Sequence, residues 1–236
     1  MQGHWRRYLD GNPEYLARYY WWAYLSPIGV WFFSHHTIIN LILFGQYRTL
    51  LAQLTVFLRR APCGRTLQLT CAYGELTPTL AGLTEELHLN DAAAVQLRLA
   101  ANSLSKAGRT AQMARMNAES LAYATSSFDT LIIFFLLHEL PAAARQRTLQ
   151  EALRVLKPGG RLLIAEYDLN RGKHPLHRFA LLRWTMERLE PFLRDFWHSD
   201  LHTQLHEYAA QQNKTLQLVD EISVFRGFYR VMEFHV

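Results

Sequence analysis

Short apolar runs alternate with amphipathic stretches along the chain from about residue 66 onward. The apolar runs predict strands at 66–71, 87–91, 111–116, 129–135 and 161–166. The stretches between them predict helices at 78–86, 93–104 and 141–155. The run at 129–135 suits a central parallel strand that is buried on both faces. This alternation predicts an α/β fold: a doubly wound, Rossmann-like, mostly parallel sheet with right-handed crossovers.

The two ends of the chain depart from this alternation. Residues 13–60 carry apolar side chains at helical spacing with few charges, and they predict two or three helices. Residues 216–224 and 227–234 predict two further strands that could pair antiparallel at the edge of the sheet. The chain is therefore expected to divide into a helical N-terminal extension at 1–60 and an α/β domain at 61–236.

The N-terminal extension is rich in aromatic side chains, most densely in the run from Tyr19 to Tyr24. Rings on every side of a helix cannot all enter one core, so some of them must cover something else. A lid over a bound cofactor, a slot for a quinone and a belt at a membrane interface would each use such rings. Ordinary helix packing is the alternative, and the sequence leaves these interpretations open.

The amino-acid composition of the chain indicates which kinds of partner it could bind. The 236 residues carry a formal net charge of +5 without any run of five Lys or Arg. That balance favours an anionic surface, such as a phospholipid headgroup layer, over a dedicated nucleic-acid partner. No stretch of about 18 apolar residues predicts a conventional transmembrane helix. We therefore expect a cytoplasmic protein that meets the inner face of the membrane, and its oligomeric state stays open.

The turn Lys157-Pro-Gly-Gly160 is the most specific motif in the chain. A helix is expected to end at Lys157, the proline blocks its continuation, and the two glycines turn the chain into the next strand. Upstream, Asp129 stands just before a buried strand. The order and spacing of these two segments resemble class I S-adenosylmethionine (SAM)-dependent methyltransferases. Any parallel α/β enzyme with a Pro-Gly-Gly turn is the alternative.

The loop at 69–75 follows the first predicted strand, where this kind of fold usually has a glycine-rich turn. Here the loop keeps one glycine, Gly74, which can suffice because SAM has no pyrophosphate. Asp91 ends the second predicted strand, where an acid can accept both ribose hydroxyls, although it could also cap the next helix. Asn117 stands where an acid often meets the adenine amino group, and a plain polar loop is the alternative.

Two pairs of polar residues follow neighbouring strands at their carboxyl ends. His138 and Glu139 follow the fourth predicted strand, and Glu166 and Asp168 end the fifth. Open α/β sheets hold their ligands at this edge. The imidazole could act as an acid or base or bind a metal with Glu139, and the other two carboxylates could add oxygen ligands. A helix-capping role for His138 and Glu139 is the alternative.

Four separated segments together resemble a narrower family, the rhodoquinone-biosynthesis protein family RquA. They are YYWWAYLSP at 19–27, NLILFGQYR at 40–48, CAYGELT at 71–77 and FFLLHE at 134–139. The similarity runs from about residue 15 to the end of the chain. It implies an unusual reaction, in which an amino group replaces a methoxy group on the ubiquinone ring to give rhodoquinone. In that family SAM supplies the nitrogen and manganese assists.

The resemblance also implies a set of site residues. The candidate cofactor-binding residues are Tyr73, Gly74, Glu75, Asp91, Ala92, Asn117, Ala118 and Phe135. The candidate catalytic residues are His138, Glu139, Tyr19 and Tyr24, and the candidate manganese ligands are His138, Glu139, Glu166 and Asp168. The chain departs from the family at Asn117, where an Asp is more usual, and at Glu75, where an Asp is common.

Two other functions stay open. The first is a conventional SAM-dependent quinone or lipid methyltransferase with a degenerate cofactor loop. The second is a non-catalytic SAM-fold protein that binds a membrane or a partner through its aromatic segment, which the single-glycine loop would suit. The mass of the quinone product separates the first from rhodoquinone formation, and detectable SAM binding would count against the second.

Overall fold

A computed structural model of the chain describes residues 4–71, 73–168 and 174–236. Its strands are β1 Arg65–Leu69, β2 Glu86–Asp91, β3 Gln112–Arg115, β4 Phe128–Phe134, β5 Leu156–Tyr167, β6 Gln217–Val224 and β7 Tyr229–His235. They form one sheet in the order β3-β2-β1-β4-β5-β7-β6. Strands β1 to β5 pair in parallel, so the predicted doubly wound α/β class is confirmed.

Strand β7 lies inside the sheet and pairs antiparallel with both β5 and β6. The two C-terminal strands thus pair antiparallel at the edge of the sheet, as the sequence predicts, with β6 outermost and β7 between it and β5. Strand β7 is buried from Tyr229 to Phe234, whereas β6 is mostly exposed. The more apolar strand takes the interior position because both of its faces are covered there.

Helices connect the strands and precede them. They are α1 Glu14–Tyr19, α2 Pro27–Phe33, α3 His36–Ile42, α4 Tyr47–Leu58, α5 Leu76–Ala81, α6 Ala94–Lys106, α7 Ala142–Val155, α8 Ala180–Leu189, α9 Leu193–His198 and α10 Leu201–Gln211. The predicted helices at 93–104 and 141–155 correspond to α6 and α7. The predicted helix at 78–86 is wrong in its extent, because α5 ends before Gly82 and Glu86 already belongs to β2.

The N-terminal segment contains more breaks than the two or three predicted helices allow. A π-helical turn, Trp21–Leu25, separates α1 from α2. The hydroxyl of Ser26 accepts a hydrogen bond from Gly29 N at 3.0 Å and so begins α2. Helix α4 packs on β5, β6 and β7 and belongs to the same buried core as the central strands. The division of the chain at residue 60 stays a prediction.

Residues 180–211 form three helices, α8 to α10, that were not predicted from the sequence. Helix α10 begins at Asp200, whose carboxylate accepts hydrogen bonds from His202 N and Thr203 N. Every described residue of α8 is at least partly exposed. Its apolar residues do recur at helical spacing, so the pattern that reveals α6 and α7 is present here too and was missed.

A buried ion pair joins β5 and β7 to the end of α4. Arg161 Nε donates to Glu233 Oε1 at 2.8 Å, and less than a tenth of either side chain is exposed. The Arg161 guanidinium also donates to the backbone carbonyls of Phe57 and Ala61. One buried charge pair thus ties the N-terminal segment to the sheet.

Candidate active site

Two adjacent cavities lie at the carboxyl ends of the parallel strands, where open α/β sheets bind ligands. The small cavity has a volume of about 60 Å³, and its wall includes Thr70, Asp91, Ala92, Asn117, Ala118 and Phe135. The apolar cavity has a volume of about 280 Å³, and its wall includes Trp22, Phe33, Leu43, Tyr73, Phe134 and Tyr167. The wall shared by the two cavities includes Tyr20, Tyr24, Phe135 and Glu139. Ligands in the two cavities would therefore meet at this wall.

Asp91 lies at the end of β2 with its carboxylate on the wall of the small cavity. Its Oδ1 accepts from Ala93 N at 2.8 Å, and its Oδ2 accepts from Cys71 N at 3.1 Å. Burial raises the pKa of this carboxyl to about 6. Each carboxylate oxygen has a second lone pair, so the backbone contacts and a ligand can share the same side chain.

Asn117 also lies on the wall of the small cavity, together with Ala118. Its side-chain oxygen accepts from Glu119 N at 3.1 Å, and its amide nitrogen donates to Glu119 Oε1 at 3.0 Å. Asn117 is therefore held in a fixed orientation by Glu119. This loop follows β3, as the sequence predicts.

The loop that carries Gly74 does not line the small cavity with its predicted residues. Gly74 has a φ of +114°, and a Cβ there would lie 2.3 Å from the Tyr47 hydroxyl. That hydroxyl accepts from Glu75 N at 2.6 Å and from Leu76 N at 3.1 Å, at the start of α5. The glycine is needed because Tyr47 approaches the backbone closely. The Glu75 carboxylate pairs with His36 at 2.8 Å near the surface, so its predicted role in cofactor binding is not supported.

Tyr73, from the same loop, lines the apolar cavity instead. Its hydroxyl donates to the carbonyl of Ala23 at 2.7 Å and accepts from Gln96 Nε2 at 2.9 Å. Its ring stacks on Tyr24 with 5.6 Å between the ring centroids. Gln96 also donates to the carbonyl of Tyr24. These contacts fasten the π-helical turn Trp21–Leu25 over both cavities.

A cluster of His138, Glu139 and Glu190 lies on the wall of the apolar cavity. One possible ligand atom from each of the three side chains lies within 4.8 Å of the other two. The Tyr24 hydroxyl donates to Glu139 Oε1. Burial raises the pKa of Glu139 to about 8, and it also raises the pKa of Glu190. Two carboxylates that resist ionisation beside one imidazole would be stabilised by a bound cation.

Two polar atoms beside this cluster are buried without a hydrogen-bond partner among the described residues. They are the hydroxyl of Tyr20 and Oε2 of Glu190. The two groups face each other, because the Tyr20 hydroxyl stabilises the ionised Glu190 carboxylate and opposes the rise of its pKa on burial, so these atoms do not by themselves mark a ligand position. Two carboxylates and an imidazole are ligands that Mn²⁺ accepts. The donor set therefore fits a divalent metal.

Glu166 orients His138 and does not belong to the three-residue cluster. Its Oε1 lies 2.7 Å from His138 Nδ1, and its carboxylate also accepts from the backbone nitrogens of Leu137 and Tyr167. Burial alone would lower the pKa of His138, but the Glu166 carboxylate raises it to about 9. The prediction that Glu166 binds a metal is not supported, because its oxygens are already occupied in this way.

Two other predicted site residues lie apart from the cluster. Asp168 is buried beyond the end of β5, and its backbone nitrogen donates to the carbonyl of Phe228. Tyr19 is 37% exposed, and its ring packs edge-on against Phe192 with 5.3 Å between the centroids. Neither lines the described walls of the two cavities. The neighbouring Tyr20 takes the position that was predicted for Tyr19.

Glu190 is the residue of the cluster that the sequence does not reveal. It follows the last residue of α8 and enters the site from a part of the chain without a recognised motif. A single acid between Leu189 and Pro191 carries no spacing signal of its own. His138 and Glu139, in contrast, were predicted because they follow a strand directly.

Comparisons with known proteins agree with this geometry. Residues 66–160 match the family model described as a methyltransferase domain. The ubiquinone/menaquinone biosynthesis C-methyltransferase UbiE of Ectopseudomonas mendocina (strain ymp) is 30% identical over 141 residues, which are 57% of this chain and 54% of that protein. UbiE of Pseudoalteromonas translucida (strain TAC 125) is 32% identical over 107 residues, 44% of this chain and 40% of that protein. The chain thus spans about half the length of these curated relatives, or less.

Solved structures match over more of the chain. A SAM-dependent methyltransferase from Clostridium acetobutylicum ATCC 824 superposes with a TM-score of 0.62 and 11% identity, covering 85% of this chain and 96% of that one. The N-methyltransferase NodS from Bradyrhizobium japonicum WM9 superposes with a TM-score of 0.56 and 16% identity, covering 80% of this chain and 94% of that one. The fold is that of the class I SAM-dependent methyltransferases.

The pKa of Asp91 leads to a prediction for SAM binding. We expect the ionised carboxylate to accept the ribose hydroxyls of SAM, and protonation would remove this ability. Because the pKa of Asp91 is about 6, the apparent SAM affinity should fall as the pH drops below 6, by up to about tenfold at pH 5. Titration calorimetry between pH 5 and pH 8 measures this. The Asp91→Asn variant should bind more weakly and lose the pH dependence, and an unchanged affinity of the wild type across this range would contradict the role.

Proposed function

We propose that the protein is a SAM-dependent enzyme that modifies the ring of a ubiquinone-type quinone. We propose further that it replaces a ring methoxy group with an amino group, so that ubiquinone becomes rhodoquinone and SAM is the amino donor. The observation that carries this proposal is the cluster of buried His138 with half-buried Glu139 and Glu190 on the wall of the apolar cavity, with Glu139 also on the wall of the small one. The resemblance to the RquA family supplies the specific reaction.

SAM is assigned to the small cavity. The ends of β1 and β2 and the loop after β3 supply its wall, and Asp91 is in position to accept the ribose hydroxyls. The small cavity is covered by the N-terminal residues Pro13, Tyr15 and Leu16. A volume of about 60 Å³ does not hold a whole SAM molecule, so we expect this cover to move when SAM binds. This supports the interpretation of the aromatic segment as a lid.

The quinone ring is assigned to the apolar cavity. Tyr24, Tyr73 and Tyr167 offer flat aromatic surfaces on its wall, which suit a planar ring. His138 and Glu139 supply polar groups on the same wall. An apolar cavity with a few polar groups at one end is typical of a site that binds and orients a hydrophobic ring. The ring would thus lie with one side toward the small cavity.

Amination requires a neutral attacking amino group and an electron-poor ring carbon. The SAM nitrogen bonds to the ring carbon, and methoxide leaves and takes up the proton that the amine loses, as methanol. The bond between that nitrogen and the SAM Cα then breaks with loss of a Cβ proton, which leaves the amino group on the ring and a double bond in the SAM skeleton.

Mn²⁺, held by His138, Glu139 and Glu190, would supply a Lewis acid for a quinone carbonyl. Tyr24 positions the Glu139 carboxylate through its hydrogen bond, and Glu166 fixes the orientation of the His138 ring. Methyl transfer mainly needs proximity and alignment, so such a cluster is more elaborate than methylation requires.

A conventional quinone C-methyltransferase is the second candidate function. The relatives favour it, because each of the two compared proteins is a ubiquinone/menaquinone biosynthesis C-methyltransferase. It would use the same two cavities, with SAM in the small one and the quinone ring in the apolar one. The two candidates differ in the product and not in the fold.

Mass analysis of the product tests the proposal. The purified protein is incubated with SAM, Mn²⁺ and a short-tail ubiquinone. The quinone is then extracted, and its molecular mass is measured by mass spectrometry. Amination lowers the mass of the quinone, because an amino group is lighter than the methoxy group it replaces. A quinone that gains the mass of a methyl group would support the second candidate instead. An unchanged quinone, with SAM bound, would contradict both.

A further inference from the structure

Exposed apolar side chains are concentrated on α2 and at the end of α3. Ile28, Trp31 and Phe32 stand at positions i, i+3 and i+4 of α2 and are 81%, 65% and 44% exposed. Leu41 and Ile42, the last residues of α3, are also largely exposed. Single exposed apolar residues are ordinary, but a cluster of them on adjacent short helices marks an interaction surface.

Helix α8 presents a second apolar stripe. Leu181, Trp184 and Arg188 stand at positions i, i+3 and i+7, so they share one face of the helix. Leu181 is 75% exposed and Trp184 is 62% exposed. A tryptophan beside an arginine on an exposed helix face is the composition of helices that lie in a membrane interface.

Both stripes reach the opening of the apolar cavity. Ile42, from α3, and Leu189, from α8, line this cavity and are themselves 45% and 49% exposed. They therefore stand at the rim, between the inside of the cavity and the surface. A hydrophobic chain attached to a ring in the cavity would leave it between these two residues.

The charge of this region favours an anionic partner. Residues 15–58, which include α2 and α3, contain no Asp or Glu but two Arg, and Arg178 and Arg188 are exposed at and near α8. Such a surface attracts anionic headgroups. A second copy of the chain would bring the same positive charge to the contact, which disfavours a dimer through this face.

Within the described ranges, no single helix is long and apolar enough to cross a bilayer, and α3 and α4 pass that test only together, as a pair bent by 88°.

We propose that α2, the end of α3 and α8 dock on an anionic phospholipid bilayer. Trp31 and Trp184 would lie at headgroup level, and the opening of the apolar cavity would face the lipid. The inference rests on the proposed function, since it explains how a quinone with a polyprenyl tail reaches the cavity while the tail stays in the bilayer. It names the docking surface and the lipid charge.

Vesicle co-sedimentation tests the docking without SAM or quinone. The wild type should bind vesicles of phosphatidylcholine mixed with phosphatidylglycerol, and bind pure phosphatidylcholine vesicles more weakly. Trp31→Asp and Trp184→Asp should each weaken binding to the mixed vesicles by roughly tenfold or more. The matched control is Val219→Asp, which places the same charge at an exposed apolar residue of edge strand β6 and should leave binding unchanged.

The docking proposal would be overturned if the wild type did not bind the mixed vesicles, or if the wild type and the three variants bound them equally. It would also be overturned if no protein bound vesicles and the wild type formed a dimer that both Trp substitutions dissociate, because the surface would then be a dimer interface. Activity on a short-tail ubiquinone without vesicles separates this proposal from the proposed function. Trp31 and Trp184 do not line the cavities, so both variants should keep that activity. Vesicle binding without any quinone product would overturn the function and leave the docking intact.

Discussion

Glu139→Gln and Glu190→Gln should each abolish Mn²⁺ binding and quinone amination while SAM binding persists. Each substitution replaces a proposed metal ligand with a neutral amide of the same shape, and each removes one of two neighbouring carboxylates that oppose each other's ionisation. We expect Mn²⁺ affinity to fall roughly a hundredfold or more. Substitution of residues that only hydrogen-bond to a metal ligand commonly lowers metal affinity about ten- to a hundredfold, and a ligand itself should matter at least as much. Electron paramagnetic resonance of Mn²⁺ measures binding independently of catalysis.

Glu187→Gln is the matched control for Glu190→Gln, because it changes an acid on α8 that does not line either cavity. It should leave both Mn²⁺ affinity and product formation unchanged. His138→Ala should behave like the two glutamate variants. If Glu190→Gln bound Mn²⁺ as tightly as the control, Glu190 would not be a ligand, and the metal site would have to be sought elsewhere.

Glu233→Ala should lower the free energy of unfolding by about 3–5 kcal/mol, the usual cost of leaving one member of a buried ion pair without its partner. Arg161 would remain in the core between β5, β7 and α4, with only backbone carbonyls to accept its hydrogen bonds. Urea denaturation followed by circular dichroism measures the change. The loss would also loosen α4 from the sheet, since Arg161 connects the two.

Asp220→Ala provides the comparison for this loss. Asp220 pairs with Arg60 at 2.7 Å, but both side chains are more than a third exposed. Exposed pairs contribute about 0–1 kcal/mol because water competes for both charges. An equal loss of stability in the two variants would contradict the assignment of Arg161 and Glu233 as a buried structural pair.

The sheet could be predicted from the sequence because each central strand is a short apolar run between turn residues. Strand β4 and the turn after α7 carried most of that signal. The position of β7 could not be predicted, because both C-terminal segments have the composition of strands. Only the structure shows that β7 is buried and lies inside the sheet, whereas β6 is mostly exposed and lies at the edge. Helix α8 could have been predicted from the helical spacing of its apolar residues, although it packs no complete face on the core.

The candidate site could be predicted where it follows strands directly. Asp91, His138 and Glu139 were found because parallel strands bring their carboxyl ends to one edge. Tyr20 lines both cavities, whereas the Tyr19 ring packs on Phe192 near the surface. The close approach of Tyr47 explains the glycine before Glu75, and the role of Glu75 in cofactor binding stays a prediction.

We propose that the protein transfers nitrogen, and not a methyl group, from SAM to the quinone ring. Two reactions containing Mn²⁺ and a short-tail ubiquinone test it most directly, one with SAM that carries a heavy nitrogen isotope in its amino group and one with SAM that carries a heavy carbon isotope in its methyl group. We expect the heavy nitrogen in the quinone product and no heavy carbon. Heavy carbon in the product without heavy nitrogen would contradict the account and identify a quinone methyltransferase.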